Sequence, residues 1–363
     1  MTAQRKATAA PQMELALQPA SRTQEHTTTP SVITRMAPLK PSKVYDTYWR
    51  FAAERQNIFF RRLSGEHAPW TRDRILQEHK FTNAYRASDR VSQFLIRHVI
   101  YKGDQDLREV FFRTMLFKLF NKIETWELLV KTFQEVRWDD YTFARYDSVL
   151  SGAIDSGKRI YSAAYIMPSG GTFGYERKHR NHLRLIELLM KEHVPERLQD
   201  TRSMQEGFTI LRSYPTLGDF LAYQLITDVN YSNVTDYTEM DFVIPGPGAR
   251  DGIRKCFGDI GDRSEADVIR LVAEVQNGEF AARDLEFREL WGRPLQLIDC
   301  QNLFCEVDKY ARVAHPDVAG RTGRVRIKQK YRQTAVPISY WYPPKWGLNE
   351  KIDNAMGESL CSL

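Results

Sequence analysis

The sequence predicts an all-α fold in which two helical lobes enclose a cleft, and three observations carry that expectation. Apolar residues recur near a 3.6-residue period along most of the chain, and no period-2 alternation is sustained anywhere. With 363 residues, 42% hydrophobic and 27% charged, the composition is that of a soluble globular chain long enough for about two domains.

Residues 1–44 are rich in Thr, Ala, Pro and Gln, with Arg5, Lys6, Arg22, Arg35, Lys40 and Lys43 against Glu14 and Glu25, and read as a disordered basic arm. The first helix is expected over 48–63, weighted by Trp49, Phe51, Ile58, Phe59 and Phe60. Thr71, after Pro69 and Trp70, is placed to cap a helix in TRDRILQEH. Over 81–100 a further helix is expected from the period of Phe81, Tyr85, Phe94, Leu95 and Val99. Thr82, Arg86, Asp89, Arg90 and Gln93 share its opposite face, which reads first as a solvated one.

Helices follow over 107–120, 125–136 and 182–192. Between the last two, Pro168, Gly170, Gly171 and Gly174 mark a loop leading into Arg177, Lys178, His179 and Arg180, a cationic cluster that fits either an anion site or bare surface. Leu217, Phe220, Leu221 and Leu225 make an apolar helical stripe with Gln224 at its edge, an amide that needs partners or water. Ile244-Pro245-Gly246-Pro247-Gly248-Ala249 is a tight turn before a helix starting near Ala249. Its glycines permit positive φ and close backbone approach, so its amides can meet a phosphate. Asp299 begins a helix after Leu295, Leu297 and Ile298, as an N-cap or as a carboxylate at the cleft.

Several classes are excluded. Cys256, Cys300, Cys305 and Cys361 form no C-x-x-C pair, which argues against structural zinc, a disulfide framework or an iron–sulfur cluster; no metal or cofactor is expected. No apolar run reaches membrane-spanning length and the N-terminus lacks a signal peptide's apolar core, so a cytoplasmic protein without membrane contact is expected. GAIDSGKR at 152–159 nears a phosphate loop, but Arg159 replaces the magnesium-binding hydroxyl and the preceding FARYDSVL is polar and helix-like.

The net charge of +6 comes from the flanks. After the arm, the second basic block is 321–332, with Arg321, Arg324, Arg326, Lys328, Lys330 and Arg332 and no acid, a solvated surface or a polyanion contact. Tyr340, Trp341, Tyr342 and Trp346 beyond it can stack on bases or strap the core.

IPGPGARDGI resembles the hairpin of the helix-hairpin-helix DNA glycosylase superfamily, in which such a turn opens a helix that grips the DNA backbone. An aspartate heads a later helix in that superfamily, and LIDCQNLFCEVDKYAR offers Asp299 in a matching context, with residues 258–294 making the interval longer than usual. Arg250 stands where bifunctional members carry lysine; a guanidinium forms no Schiff base, so lyase chemistry is not implied.

A closer resemblance spans about 48–346 and rests on PWTRDRIL, FTNAYRASDRVSQFLI, IYSAAYIMP, SYPTLGDFLAYQ, IPGPGARDGIRKCF and LIDCQNLFCEVDKY. These blocks are similar to the alpha-glutamyl/putrescinyl thymine pyrophosphorylase family, also described as the helical domain of 5-hydroxymethyluracil DNA kinases. The resemblance implies a glycosylase-like scaffold that attaches an amino acid or polyamine to pyrophosphorylated 5-hydroxymethyluracil in DNA and displaces pyrophosphate. The partners it implies are DNA, the amine donor and a separate nucleotide kinase. An N-terminal lobe is expected over 45–205, a glycosylase-like lobe over 206–315 and a basic, aromatic strap over 316–363.

On that basis Asp299 is the expected catalytic carboxylate. Arg86, Arg90 and the 177–180 cluster, with Lys178 and His179, are expected on the pyrophosphate. Asn83, Gln93, Gln224, Gln301 and Asn302 are available to read base edges. Pro245, Gly246, Pro247, Gly248 and Arg250 are expected on the DNA backbone. A monofunctional glycosylase and a non-catalytic DNA-binding module of a kinase system are the rival readings.

Overall fold

The computed structural model of the protein describes residues 38–163, 167–169, 171–333 and 339–352; the expected arm as far as residue 37, Gly170 of the loop and Cys361 lie outside them. The all-α expectation holds. Thirteen α-helices and no strand occur among the described residues, where the β pairing amounts to two isolated bridges, His79 with Lys330 and Leu290 with Arg293.

Helix α1 (Lys43–Leu63) starts ahead of the apolar period because Ser42 caps it, accepting the Val44 N–H at 3.1 Å and donating to Lys255 O. Its buried face carries Tyr48 and Trp49, whose rings meet Phe304 and Phe280. Helix α2 (Arg74–Glu78) is capped by Asp73 rather than Thr71: Asp73 Oδ1 takes both the Ile75 and Leu76 amides, at 2.8 and 3.1 Å, while the Thr71 hydroxyl takes Asp73 N–H.

The single helix expected over 81–100 is broken. Residues 81–85 are irregular, Arg86–Ser88 is a 3₁₀ turn, and α3 (Arg90–Phe94) runs into a π-helical turn, Leu95–Ile100. The cause is local. Asp299 draws the Arg86 amide to itself and Asp89 adopts extended backbone (ψ 147), so Arg86 and Gln93 turn inward while Arg90 stays exposed. The face that reads as solvated therefore divides between core and surface.

Helix α4 (Leu107–Phe120) has the expected bounds and is buried nearly all round, Arg113 and Lys118 included. Helices α5 (Ile123–Phe133), α6 (Phe143–Asp155), α7 (Lys178–Lys191), α8 (Val194–Gln199) and α9 (Met204–Arg212) surround it or follow it. Gly152 lies inside α6, so the near-match to a phosphate loop is a helix end. Helix α7 begins earlier than expected and takes Lys178, His179 and Arg180 into its first turn.

Helices α10 (Asp219–Val229), α11 (Pro247–Phe257), α12 (Glu265–Ala281) and α13 (Leu297–Ala314) build the part that positions the site. Helices α11 and α13 are in the most intimate contact, and α1 packs on both. Gly252 permits this approach, since a Cβ there would lie 2.0 Å from Phe304 O. A buried Lys255–Asp308 ion pair, 2.9 Å, joins the same two helices.

The chain then returns over this body. Asp251 accepts Thr322 N–H, and Tyr331 N–H reaches Glu78 O at 2.9 Å. The aromatic stretch packs on the core: Tyr342 is fully buried with its hydroxyl 2.8 Å from Ser88 Oγ, Trp341 N–H donates to Gln93 Oε1, and Arg293 lies over the Trp346 ring.

Candidate functional site

A cavity of about 970 Å³ opens between α1, the 68–92 segment, the end of α4, α10, α13 and the returning segment. Nine basic side chains line it, Arg55, Arg62, Lys80, Arg86, Arg90, Lys118, Lys309, Lys330 and Arg332, against two acids, Asp89 and Glu306. Burial matters more than number. Arg55, Arg86 and Lys118 are all buried and form the floor.

Arg86 Nη1 donates to Asp228 Oδ1 at 2.7 Å and to the Tyr231 hydroxyl at 2.9 Å, and Nε donates to Gln224 Oε1 at 3.2 Å. Lys118 Nζ lies 3.1 Å from Asp228 Oδ2, so one fully buried carboxylate serves two cations. Arg55 hydrogen-bonds the neutral Asn83 Oδ1 at 2.7 Å. Burial pulls the pKa values of Arg55 and Lys118 down, while Asp228 more than reverses that effect for Arg86. A floor holding more buried cation than anion is stabilised by an anion from outside.

At the rim, Lys80, Arg90 and Arg332 are exposed, and their side chains make no hydrogen bond or ion pair among the described residues. Arg62 stands over the Trp70 ring, and Trp70, Phe81, Tyr331 and Tyr340 supply aromatic wall. Asp89 precedes α3 but caps none of its amides; Oδ1 instead accepts Asn83 N–H at 2.9 Å. Glu306 Oε2 accepts Thr82 N–H and pairs with Lys309 at 2.7 Å.

Asp299 sits beside this cavity without lining it. It is the third residue of α13, where Gln296 is the N-cap, and it closes the capping box by accepting Gln296 N–H on Oδ2 at 3.1 Å. Oδ1 accepts Arg86 N–H at 2.7 Å. The carboxylate is 4% exposed, and burial pushes its pKa up to about 7 against the pull of the two amides.

The other expected site residues divide. Asn83, Arg86, Arg90, Gln224 and Asn302 line the cavity. Gln224 is buried and partnered, by Arg86 and by Gln301 Oε1 at 3.4 Å. Gln93 is occupied with Ala87 O and Trp341 N–H, away from the lining. Of the 177–180 cluster, Arg177, Lys178 and His179 border a separate hollow of about 470 Å³ with Lys158, Arg159 and Tyr161. There Arg177 pairs with Asp155, His179 and Arg180 share Asp147, and Lys178 covers the Tyr161 ring, so acids compensate much of the charge.

The Ile244–Ala249 turn, expected as a hairpin, adjoins α13. Gly246 is the N-cap of α11 and Pro247 its first residue, with Pro247 and Arg250 exposed. Neither hairpin glycine has positive φ. Space decides instead: a Cβ on Gly246 would sit 2.6 Å from the Phe220 ring and 3.4 Å from Gln301 Nε2, and one on Gly248 would sit 3.1 Å from Cys305 Sγ.

Arg55, Lys118, Asp228 and the position of Asp89 escape sequence reasoning. The available signal is in FFRTMLFKLF, where two cations interrupt a helix otherwise apolar on every side. Among the described residues, no three His, Cys, Asp or Glu side chains converge as a metal site would need, and no helix is long and apolar enough to cross a membrane.

Residues 42–320 match the family model described as 5-hmdU DNA kinase, helical domain. Over 298 residues the chain is 28% identical to the 5-hmdU DNA kinase of Bacillus phage SP10, covering 76% of this chain and 46% of that protein. The chain thus spans about half the length of this curated relative. No solved structure matches it.

Proposed function

Because the chain belongs to the family of 5-hmdU DNA kinase helical domains, we propose that it acts in hypermodifying 5-hydroxymethyluracil in DNA. Its step is the transfer of an amino acid or polyamine to the pyrophosphorylated base, with release of pyrophosphate. The observation that carries this reading is the floor of the cavity, where Arg55, Arg86 and Lys118 are buried with Asp228 as their one fully buried acid.

A base stacked in duplex DNA is inaccessible, so the target nucleotide must leave the stack. The exposed start of α11, with Pro247 and Arg250, suits contact with the backbone of the strand. The cavity volume is in the range of a nucleotide-sized ligand. Trp70, Tyr331 and Tyr340 offer faces for the pyrimidine, while Gln224 and Asn302 offer amides for its edges. The floor cations favour the leaving pyrophosphate as charge builds on the oxygen whose bond to the methylene carbon breaks, and their burial makes them stronger there than in water.

The test is to incubate the protein with DNA carrying pyrophosphorylated 5-hydroxymethyluracil and either glutamate or putrescine, then measure pyrophosphate release and nucleoside masses. A nucleoside heavier by the amine is expected. Unchanged nucleosides with both donors would sink the transferase assignment, and free base with abasic sites would replace it by a glycosylase.

A second reading has its own support: the relative is named as a kinase and aligns over 46% of its length, and Gly152 here falls within a helix. In that reading the chain is a DNA-binding module for a kinase site on another polypeptide, and modification appears only when such a kinase is added.

A further inference from the structure

The cavity is lined by a carboxylate that no cation among the described residues pairs with, and we propose that Asp89 takes the proton from the attacking amine, an inference that rests on the transferase reading above. Four carboxylates lie in or beside the cavity, and their partners separate them; Asp228 is held by both Arg86 and Lys118. Asp299 has both oxygens on backbone amides, those of Arg86 and Gln296. Glu306 is compensated by its ion pair with Lys309. Asp89 forms no ion pair among the described residues; Oδ1 accepts one amide, from Asn83, and Oδ2 has no hydrogen-bond partner among them.

Position adds to this. An aspartate ahead of a helix ordinarily caps it, yet Asp89 leaves the α3 amides alone and lines the cavity. The charged and titratable groups facing it are Arg55 from α1, Arg86 from the 3₁₀ turn, Glu306 from α13 and Tyr340 from the returning strap. Burial outweighs the two arginines and raises the carboxyl to about 6. Such a group is ionised at neutral pH and still basic enough to be useful.

The step balances. The amine lone pair forms a bond to the exocyclic methylene carbon while the C–O bond to pyrophosphate breaks, its electron pair leaving with pyrophosphate. The proton of the new ammonium passes to Asp89 and from there to water.

The experiment is single-turnover transfer from glutamate or putrescine to DNA bearing pyrophosphorylated 5-hydroxymethyluracil, at pH 5 to 8, for the parent and Asp89→Asn. In the parent, the logarithm of the rate bends near pH 6, from a slope of about two to about one, as Asp89 ionises on top of the amine. Asp89→Asn is expected to be slower by about 10²-fold with the bend gone, while binding of the same DNA without donor is kept or tightened, because one negative charge has left a cationic cavity. Parent-like turnover, or a bend that survives and so belongs to the leaving group, overturns the assignment and leaves the transferase reading standing. If the parent itself transfers no amine, the transferase reading fails and takes this inference with it. Should Asp89→Asn melt below the assay temperature, Asp89→Glu decides: a moved bend supports the assignment and an unmoved one overturns it.

Discussion

Asp299 Oδ1 accepts the backbone N–H of Arg86 at 2.7 Å, so the carboxylate heading α13 fixes the turn whose side chain makes the cavity floor. The two residues are 213 positions apart in sequence. Asp299→Asn keeps the shape but turns one acceptor into a donor facing an amide. It should cost about 1–3 kcal/mol of stability, the scale of a buried group left without its partner. Chemical denaturation measures this, and a change within error would show that the amide contacts carry no weight.

The same carboxyl predicts a pH dependence. Its folded pKa, about 7, is raised above the ordinary carboxylate value, so its contribution is fully present below that ordinary value and is lost as pH rises through 7. The stability difference between the parent and Asp299→Asn should therefore shrink as pH climbs from about 4 to about 8. Denaturation curves for both proteins across that window provide the check, and a constant difference would contradict the raised pKa.

Lys118 and Arg86 should behave differently although they share Asp228. Lys118→Met leaves the Arg86–Asp228 pair matched in charge and should change stability by less than about 1 kcal/mol. Affinity for inorganic pyrophosphate, read by calorimetry, should fall about 10-fold or more. Arg86→Met strips Asp228, Gln224 and Tyr231 of a shared donor and should cost about 3–5 kcal/mol.

Gly252→Ala places a methyl 2.0 Å from a backbone oxygen that cannot move alone, so α11 and α13 must separate. A loss of about 3 kcal/mol or more, or failure to fold, is expected. Gly246→Ala meets a ring, that of Phe220, and should cost less. Thermal melts of the two variants should rank in that order.

Lys80, Arg90 and Arg332 stand unpaired at the cavity rim. If they meet phosphates, replacing all three by alanine should reduce the slope of log affinity against log salt by about two to three, from about 0.9 per phosphate on duplex DNA. An unchanged slope in a salt titration would remove them from the interface.

The helical class and the 107–120 helix were legible because long apolar periodicity leaves few alternatives. The break between Phe81 and Arg90 was not, since the apolar period continues on both sides of it and the cause, Asp299, is remote in sequence. Arg86, Asn83 and Gln224 could be named from their chemistry, but their common cavity depends on α1, α4 and α13 meeting. The hairpin glycines were legible as glycines required, while the reason is a neighbouring ring and a sulfur rather than backbone angle.

The strap that closes Tyr342 onto Ser88 and Trp341 onto Gln93 also sets a timetable. On the ribosome, residues 83–93 emerge long before 340–342, and before Asp299 as well, so their final partners do not yet exist. Hydrogen bonds spanning 213 to 254 positions cannot form until Asp299 and Tyr342 have themselves left the ribosome. The buried cations must wait in water through that interval, and the cavity takes shape only after the helices that wall its N-terminal side have been made.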